Sequence, residues 1–264
     1  MLAQSLAGSR VRPHLACRMS KMKCAALALL VLIAAPLHAA DVKPLAHQVV
    51  KDAVGLATAP VRWRGHEWLR FAEGSAAVLA AYVADDQIVR FVSRQQNHVA
   101  NNYLRNVTHL GGGYGVDLSA LLAVAGYVSR DERMADAGFE AFESSIAAAG
   151  IVTPAIKDVV GRARPIYLLG KHSFHPLNAG YQSFPSGHTT NAFAIASAIA
   201  TRYDDSRVVP AIAYGLATSV AVARVHDRVH FASDVIAGGL IGRAIGKSIV
   251  WNHRRARVRF TLLP

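Results

Sequence analysis

The chain has 264 residues, of which 52% are hydrophobic and 17% charged, and it carries a formal net charge of +12. Such an apolar share excludes a disordered chain and fits a bundle with much apolar surface. The charge sits at the two ends, with five basic residues and no acid in 1–40 and six with no acid in 243–264, leaving about +1 between them; a basic face that tracks nucleic acid is therefore excluded.

In chain order, the N-terminus reads as an export signal. "RMSKMK" is a positive leader, "CAALALLVLIAAPL" an apolar stretch too short for an easy membrane span, and "HAA" a small-residue cleavage site near Ala39 or Ala40. Residues before Met19 add nothing to that signal, so Met19 or Met22 is the expected start. Both cysteines, Cys17 and Cys24, fall inside the segment to be removed, and the mature fold stands on packing without a disulfide. The expected division is a signal peptide over 1–40 and one domain over 41–264, with a motif core at 150–251 and a basic tail at 252–264.

Helical spacing of Ala, Leu, Val and Ile predicts helices near 64–84, 86–106, 115–129, 133–157, 187–201, 208–224 and 232–251, an all-α bundle of six or seven helices. Breaks fall at "HLGGGYG", at the long stretch from Gly161 to Gly187, at "RYDDSR" and at "RVHDRVH". "GGGYG" lacks the lysine and hydroxyl of a phosphate-binding loop and reads as a flexible turn between helices. His172 and His175 read as surface histidines.

No segment of the mature chain offers eighteen uninterrupted apolar residues, and Val208–Ala223 comes nearest. Glu73, Asp117, Glu140 and Glu143 would be costly inside a bilayer. The last three helices would nevertheless place the reactive ends on one side and arginines on the other. The expectation is a periplasmic bundle associated with the inner membrane, its degree of integration left open. The basic tail suits an anionic membrane surface.

Three segments carry chemistry. In "KDVVGRARP", Lys157 and Arg164 are seven apart, on one face of a helix that Pro165 should end, and together they suit phosphate oxygens. In "PSGH", Ser186 and Gly187 immediately precede a helix, whose free N–H groups and dipole favour an anion. His188 brings a proton that moves near neutral pH to the same place. In "RVHDRVHFASD", His230 and Asp234 are four apart, neighbours on a helical face, so the carboxylate can fix one ring nitrogen and leave the other as a nucleophile. Arg224 adds a third cation. A zinc reading of His226 and His230, after the His-x3-His pattern, leaves Lys157, Arg164, Ser186 and His188 without a role.

Lys-x6-Arg-Pro, Pro-Ser-Gly-His and Arg-x5-His-x3-Asp, in that order over Lys157–Asp234, resemble the type 2 phosphatidic acid phosphatase (PAP2) superfamily, which includes bacterial acid phosphatases and vanadium haloperoxidases. One position departs: Ala223 stands where the family often has serine. The resemblance implies that His230 attacks phosphorus and becomes a phosphohistidine, that Asp234 orients it, and that His188 is the general acid and then the base. Lys157, Arg164, Ser186, Gly187 and Arg224 would hold the phosphoryl oxygens. No metal or other cofactor is implied, and the sequence shows no carboxylate cluster suited to magnesium.

The expected activity is hydrolysis of a phosphomonoester or diphosphate, preferably of a lipid. The alternatives are a broad-specificity periplasmic acid phosphatase, a vanadium haloperoxidase, and a bundle that binds anions without chemistry.

Overall fold

The computed structural model describes residues 39–94 and 98–256. The export signal and the end of the basic tail lie outside the described residues. Two compact units divide the chain, Met1–His47 and Gln48–Pro264; the helices from α2 onward belong to the second. Helix α1 is Ala39–Ala57, α2 Gly65–Arg94, α3 His98–Val107, α4 Gly113–Ser129 and α5 Glu132–Ser145. A π-helical stretch, Ile146–Val152, leads into α6, Thr153–Val160. After a long loop come α7 Gly187–Arg202, α8 Val208–His226 and α9 Ala232–Ala256. Apart from one isolated β-bridge, Arg162 to Phe174, the described residues form helices, turns and loops. The all-helical expectation holds.

Boundaries differ from the sequence expectation in three places. The predicted break near residue 85 is absent: α2 runs on to Arg94, because Asp85 is buried and hydrogen-bonded instead of ending the helix. The segment 133–157 is divided by the π-helical stretch. The helix at 39–57 has no counterpart among the predicted elements.

Helix α7 is the centre. Its alanines 192, 194, 196, 198 and 200 are all buried, and it packs against α9, α8 and α5. Small side chains on α7 meet glycines on α9 at four-residue spacing, Gly238, Gly242 and Gly246. A methyl at Gly238 would lie 2.8 Å from the Ser186 carbonyl oxygen. Methyls at Gly242 and Gly246 would press still harder on the carbonyls of Thr190 and Ala194. The two backbones therefore touch along a seam that admits no Cβ, and this rigid pair carries the start of α7 and the start of α9 side by side. Helices α4 and α5 repeat the device: Gly126 abuts Ala135 and Gly138 abuts Ala123.

The exterior is the apolar part. Trp68, Leu69, Phe71, Leu79 and Phe91 on α2, and Val208, Ile212, Leu216 and Val222 on α8, are exposed, whereas Asp52, Asp85, Glu140, Arg162, His230, Asp234 and His253 are buried. Exposed apolar area on this scale marks a surface that meets lipid or protein. Helix α8 is long and apolar enough to cross a membrane, by length and composition.

Replacing Gly242 by alanine should push α7 and α9 apart and cost about 1–3 kcal/mol. Gly215 lies on exposed α8, with no atom within 4 Å of the place a Cβ would take. It should tolerate alanine and gain up to about 1 kcal/mol of helix propensity. Thermal unfolding of the two purified variants in detergent checks the contrast; equal melting temperatures would contradict the seam.

Candidate active site

The three motif segments are joined by backbone hydrogen bonds. Ser183 N–H donates to the Arg162 carbonyl at 2.8 Å, Ser186 N–H to the Asp234 carbonyl at 3.0 Å, and Ile166 N–H to the Arg228 carbonyl at 3.0 Å. Residues 157–167, 183–188 and 224–234 thus meet at one end of the α7–α9 pair.

Lys157 lies in the last turn of α6. That helix stops at Val160, because Gly161 turns left-handed at φ +57°; a Cβ there would run into the His175 carbonyl, so no side chain fits. Arg164 is therefore not on a helical face shared with Lys157, contrary to the sequence expectation. It lies beyond the helix in extended backbone, φ −81° and ψ 152°, and reaches the site by a different route. The Lys157 ammonium donates to the Gln182 carbonyl.

Ser186 caps α7 from extended backbone without using its side chain on the helix. Its hydroxyl accepts from Thr189 Oγ1 at 3.0 Å, so its own proton is left to donate. The N–H groups of the first turn face the same space. Behind them, Gly111 and Gly112 pack on His188: a Cβ at Gly111 would lie 2.8 Å from His188 Cβ, and one at Gly112 3.4 Å from His188 Nε2. Asn191 fixes this loop by donating to the Gly111 carbonyl at 3.1 Å, and accepts from Ser145 Oγ at 2.6 Å. The glycine run expected to be a flexible turn is thus a packed wall of the site. At Gly111 a Cβ would also lie 2.6 Å from the His188 carbonyl oxygen, so only glycine lets the loop lie this close to His188.

His230 and Asp234 do not share a helical turn. Helix α8 ends at His226 and α9 starts at Ala232, so His230 sits on the connecting loop. Its Nδ1 is 3.7 Å from Asp234 Oδ2, too far for a direct hydrogen bond. Ser183 closes the gap, 3.5 Å from Nδ1 and donating to Oδ2 at 2.5 Å. The Nδ1 edge is thereby held on the Ser183–Asp234 side, and Nε2 is the nitrogen left to react. The same loop removes the zinc reading, since His226 and His230 are not one turn apart on a helix.

Asp234 is held by three donors. Its carboxylate accepts from Ser183, from the Phe231 N–H at 2.9 Å and from Arg162 Nη1 at 2.6 Å. Arg162 is 1% exposed and bridges onward to Asp85 Oδ2 at 2.8 Å and to Ser233 Oγ at 2.7 Å. Its guanidinium also stacks over Phe231 at 4.2 Å and Tyr82 at 4.9 Å. Sequence reasoning misses Asp85, Arg162, Ser183 and Ser233. Arg162 stands in "GRARP" two residues before Arg164, a visible second arginine; Asp85, 77 residues earlier in α2, gives no local signal.

The cations face the site without acidic partners. No ion pair engages Arg164 or Arg224 among the described residues; Arg224 Nη1 donates to Thr108 at 3.1 Å, and its Nε is buried with no partner. Burial and the charges of Arg164 and Arg224 push the Lys157 ammonium down to about 8. Burial, then Arg224, His230 and Lys157, pushes His188 down to about 4. Burial also lowers His230 to about 4, against the opposing pull of Asp234. Both imidazoles are neutral at pH 7 in the free site, and an arriving anion would draw protons back. His172 and His175 are exposed, as expected: His172 Nδ1 meets the Tyr82 hydroxyl at 2.6 Å, and His175 stacks on Tyr181.

Comparison with known proteins agrees with the motif resemblance. Residues 141–257 match the PAP2 superfamily. Lipid A 1-phosphatase of Rhizobium etli is 31% identical over 125 residues, covering 46% of this chain and 53% of that protein. Probable lipid phosphate phosphatase 4 of Arabidopsis thaliana is 32% identical over 126 residues, covering 35% of this chain and 40% of that protein. The chain thus spans about half the length of the curated relatives it matches. The fold is similar to that of the transmembrane PAP2-type phosphatidylglycerolphosphate phosphatase from Bacillus subtilis, with a TM-score of 0.57 at 24% identity, over 73% of this chain and 96% of that one.

Two outcomes follow from this geometry. Asp85→Ala leaves Arg162 one carboxylate short in a dry core and should cost about 3–5 kcal/mol, measured by unfolding in detergent; a loss well under about 1 kcal/mol would show the bridge to be idle. Lys157 is fully charged below its lowered pKa near 8 and loses its charge above it. Orthophosphate or vanadate binding should therefore weaken as pH rises through about 8. Lys157→Arg should remove that alkaline limb, which titration calorimetry across pH 7 to about 9.5 would show.

Proposed function

With residues 141–257 of this chain in the PAP2 superfamily, we propose that it is a metal-independent lipid phosphatase of the cell envelope working through a phosphohistidine. The observation that carries this reading is the buried His230: Ser183 and Asp234 occupy its Nδ1 side, and the charges of Lys157 and Arg224 act on its ring. The Nε2 lone pair attacks phosphorus while the bond to the leaving oxygen breaks, and His188 gives that oxygen a proton. Water then transfers a proton to His188 and attacks phosphorus, breaking the P–N bond and restoring both imidazoles.

Lys157, Arg164, Arg224, Ser186 and the Gly187 amide meet the charge spread over the equatorial oxygens, which is where phosphoryl transfer is chiefly accelerated. A dianion bound among these cations raises the depressed His188 pKa, so the acid is charged when substrate is present. Supplying the proton with the substrate keeps the empty site from holding four positive charges together.

A lipid substrate is favoured over a small soluble ester by the apolar exterior of α2 and α8. That exterior also supports a seat in the inner membrane, the export signal directing the site to the periplasmic side. The related proteins of Rhizobium etli and Arabidopsis thaliana are named for lipid substrates.

His230→Asn should abolish hydrolysis, and His188→Ala should lower it by about 10²–10⁴-fold. With an aryl phosphate, whose leaving group needs no acid, His188→Ala should accumulate phosphoenzyme on His230, read by mass spectrometry without acid treatment. Micellar lipid phosphate should be turned over faster than the aryl ester by the native chain. Full activity in His230→Asn would rule out the nucleophile, and a preference for the aryl ester would rule out the lipid.

A further inference from the structure

A second polar centre lies at the other end of α9. Asp234 and His253 are separated by 19 residues of one helix, roughly 28 Å at helical rise, so this centre does not belong to the phosphate site. It gathers Asp52 from α1, Glu143 from α5 and His253 from α9, all buried. His253 Nε2 is 3.1 Å from Asp52 Oδ2 and 3.0 Å from Glu143 Oε2. The three ligand atoms all lie within 4.8 Å of one another.

A single ring nitrogen cannot satisfy two carboxylates. Nε2 is aligned for a hydrogen bond with Asp52. Glu143 is 6% exposed, yet neither of its oxygens has a hydrogen-bond partner. An ionised carboxylate so placed is costly unless a cation meets it. The nearby guanidinium, Arg202, is committed elsewhere, gripping Glu140 through Nε at 2.9 Å and through Nη2, and sharing Asp136 at 3.3 Å. Asp52 and Glu143 are thus left with at most one positive charge between them, on His253.

The surroundings are arranged as around a ligand set. Gln48 donates to Asp52 Oδ2 at 3.1 Å and Asn252 to Oδ1 at 2.7 Å, so both Asp52 oxygens are oriented. Glu140 Oε1 stands 3.6 Å from His253 Nδ1 and Phe139 stacks on the ring. At 3.6 Å the Glu140 contact is electrostatic, not a direct hydrogen bond, and Nε2 is the nitrogen turned to Asp52 and Glu143. Bonds of about 2.0–2.2 Å to imidazole nitrogen and carboxylate oxygen place neighbouring ligand atoms about 3.0–3.5 Å apart, the spacing found on both sides of Nε2.

We propose that Asp52, Glu143 and His253 bind a divalent transition-metal ion that ties α1, α5 and α9 together. One imidazole with two carboxylates suits zinc or manganese; magnesium, which keeps its waters and prefers oxygen, is poorly matched. The ion replaces the Nε2 proton, supplies the missing positive charge and gives Glu143 its partner. It is structural, and the phosphate chemistry at the far end proceeds without it.

The test uses the full chain without a polyhistidine tag, purified in detergent, stripped with a chelator and dialysed against Zn2+ or Mn2+ in excess Mg2+. Bound metal, counted by mass spectrometry, should reach about one ion per chain. It should be lost in Glu143→Gln and in Asp52→Asn, and retained in His230→Asn. Zinc should raise the melting temperature of the native chain and leave that of Glu143→Gln unchanged. If the two carboxylate variants do not fold, X-ray absorption at the zinc edge of the native chain decides: one imidazole among oxygen ligands is expected. No uptake by the native chain, equal uptake in the variants, or a shell with sulfur or several imidazoles overturns the proposal.

Discussion

The site depends on one buried carboxylate. Asp234 opens α9, accepts hydrogen bonds from Ser183, Phe231 and Arg162, and offers its backbone carbonyl to the Ser186 N–H. The contacts reach all three motif stretches, 157–167, 183–188 and 224–234, so fixing Asp234 fixes their register. An ionised carboxylate can be held in so dry a place only when donors and a cation surround it. Arg162 supplies the cation and is itself neutralised by Asp85. The long α2 is recruited to the site through that second pair, although it contributes no reacting group.

Charge in this region is divided by purpose. The acids, Asp85 and Asp234, are spent on Arg162 behind His230, and the cations in front are left open. Burial first, and then the charges of Arg224 and Lys157, lower both imidazoles, while Asp234 pulls His230 the other way. The cations placed to meet a phosphoryl group thus add to the burial that lowers both imidazoles. Adding an acid in front would weaken both effects at once.

The sequence made the three motif segments legible because each encodes a backbone event as well as a side chain. Pro-Ser-Gly-His marks a helix start, and α7 does begin at Gly187. What spacing could not show was how the parts meet. Seven-residue spacing puts Lys157 and Arg164 on one helix, but Gly161 ends that helix first. Four-residue spacing puts His230 and Asp234 on one helical turn, but a loop and Ser183 intervene. Asp85 was invisible because its partner is remote in sequence, and no pattern in α2 distinguishes it from Asp86 beside it. The grouping of Asp52, Glu143 and His253 was invisible for the same reason, since its members come from three helices. Composition announced the apolar exterior, but no single segment did: breaks such as Glu73 interrupt any window of eighteen, while the folded surface gathers the apolar faces of separate helices.

Both polar centres hang on the α7–α9 seam, and this explains why the seam is built from glycine and alanine. Gly238, Gly242 and Gly246 bring the α9 backbone against the carbonyls of Ser186, Thr190 and Ala194. A helix pair in van der Waals contact along its backbones has little freedom to slide, because every Cβ-free groove accepts only the facing ridge. Larger apolar residues would bury more area but would space the helices by flexible side chains, and the start of α7 could then shift against Asp234. Apolar area is not scarce in this chain, as the exposed faces of α2 and α8 show. Positional rigidity is the scarcer quantity, and the seam secures it where the Ser186–Asp234 hydrogen bond requires it.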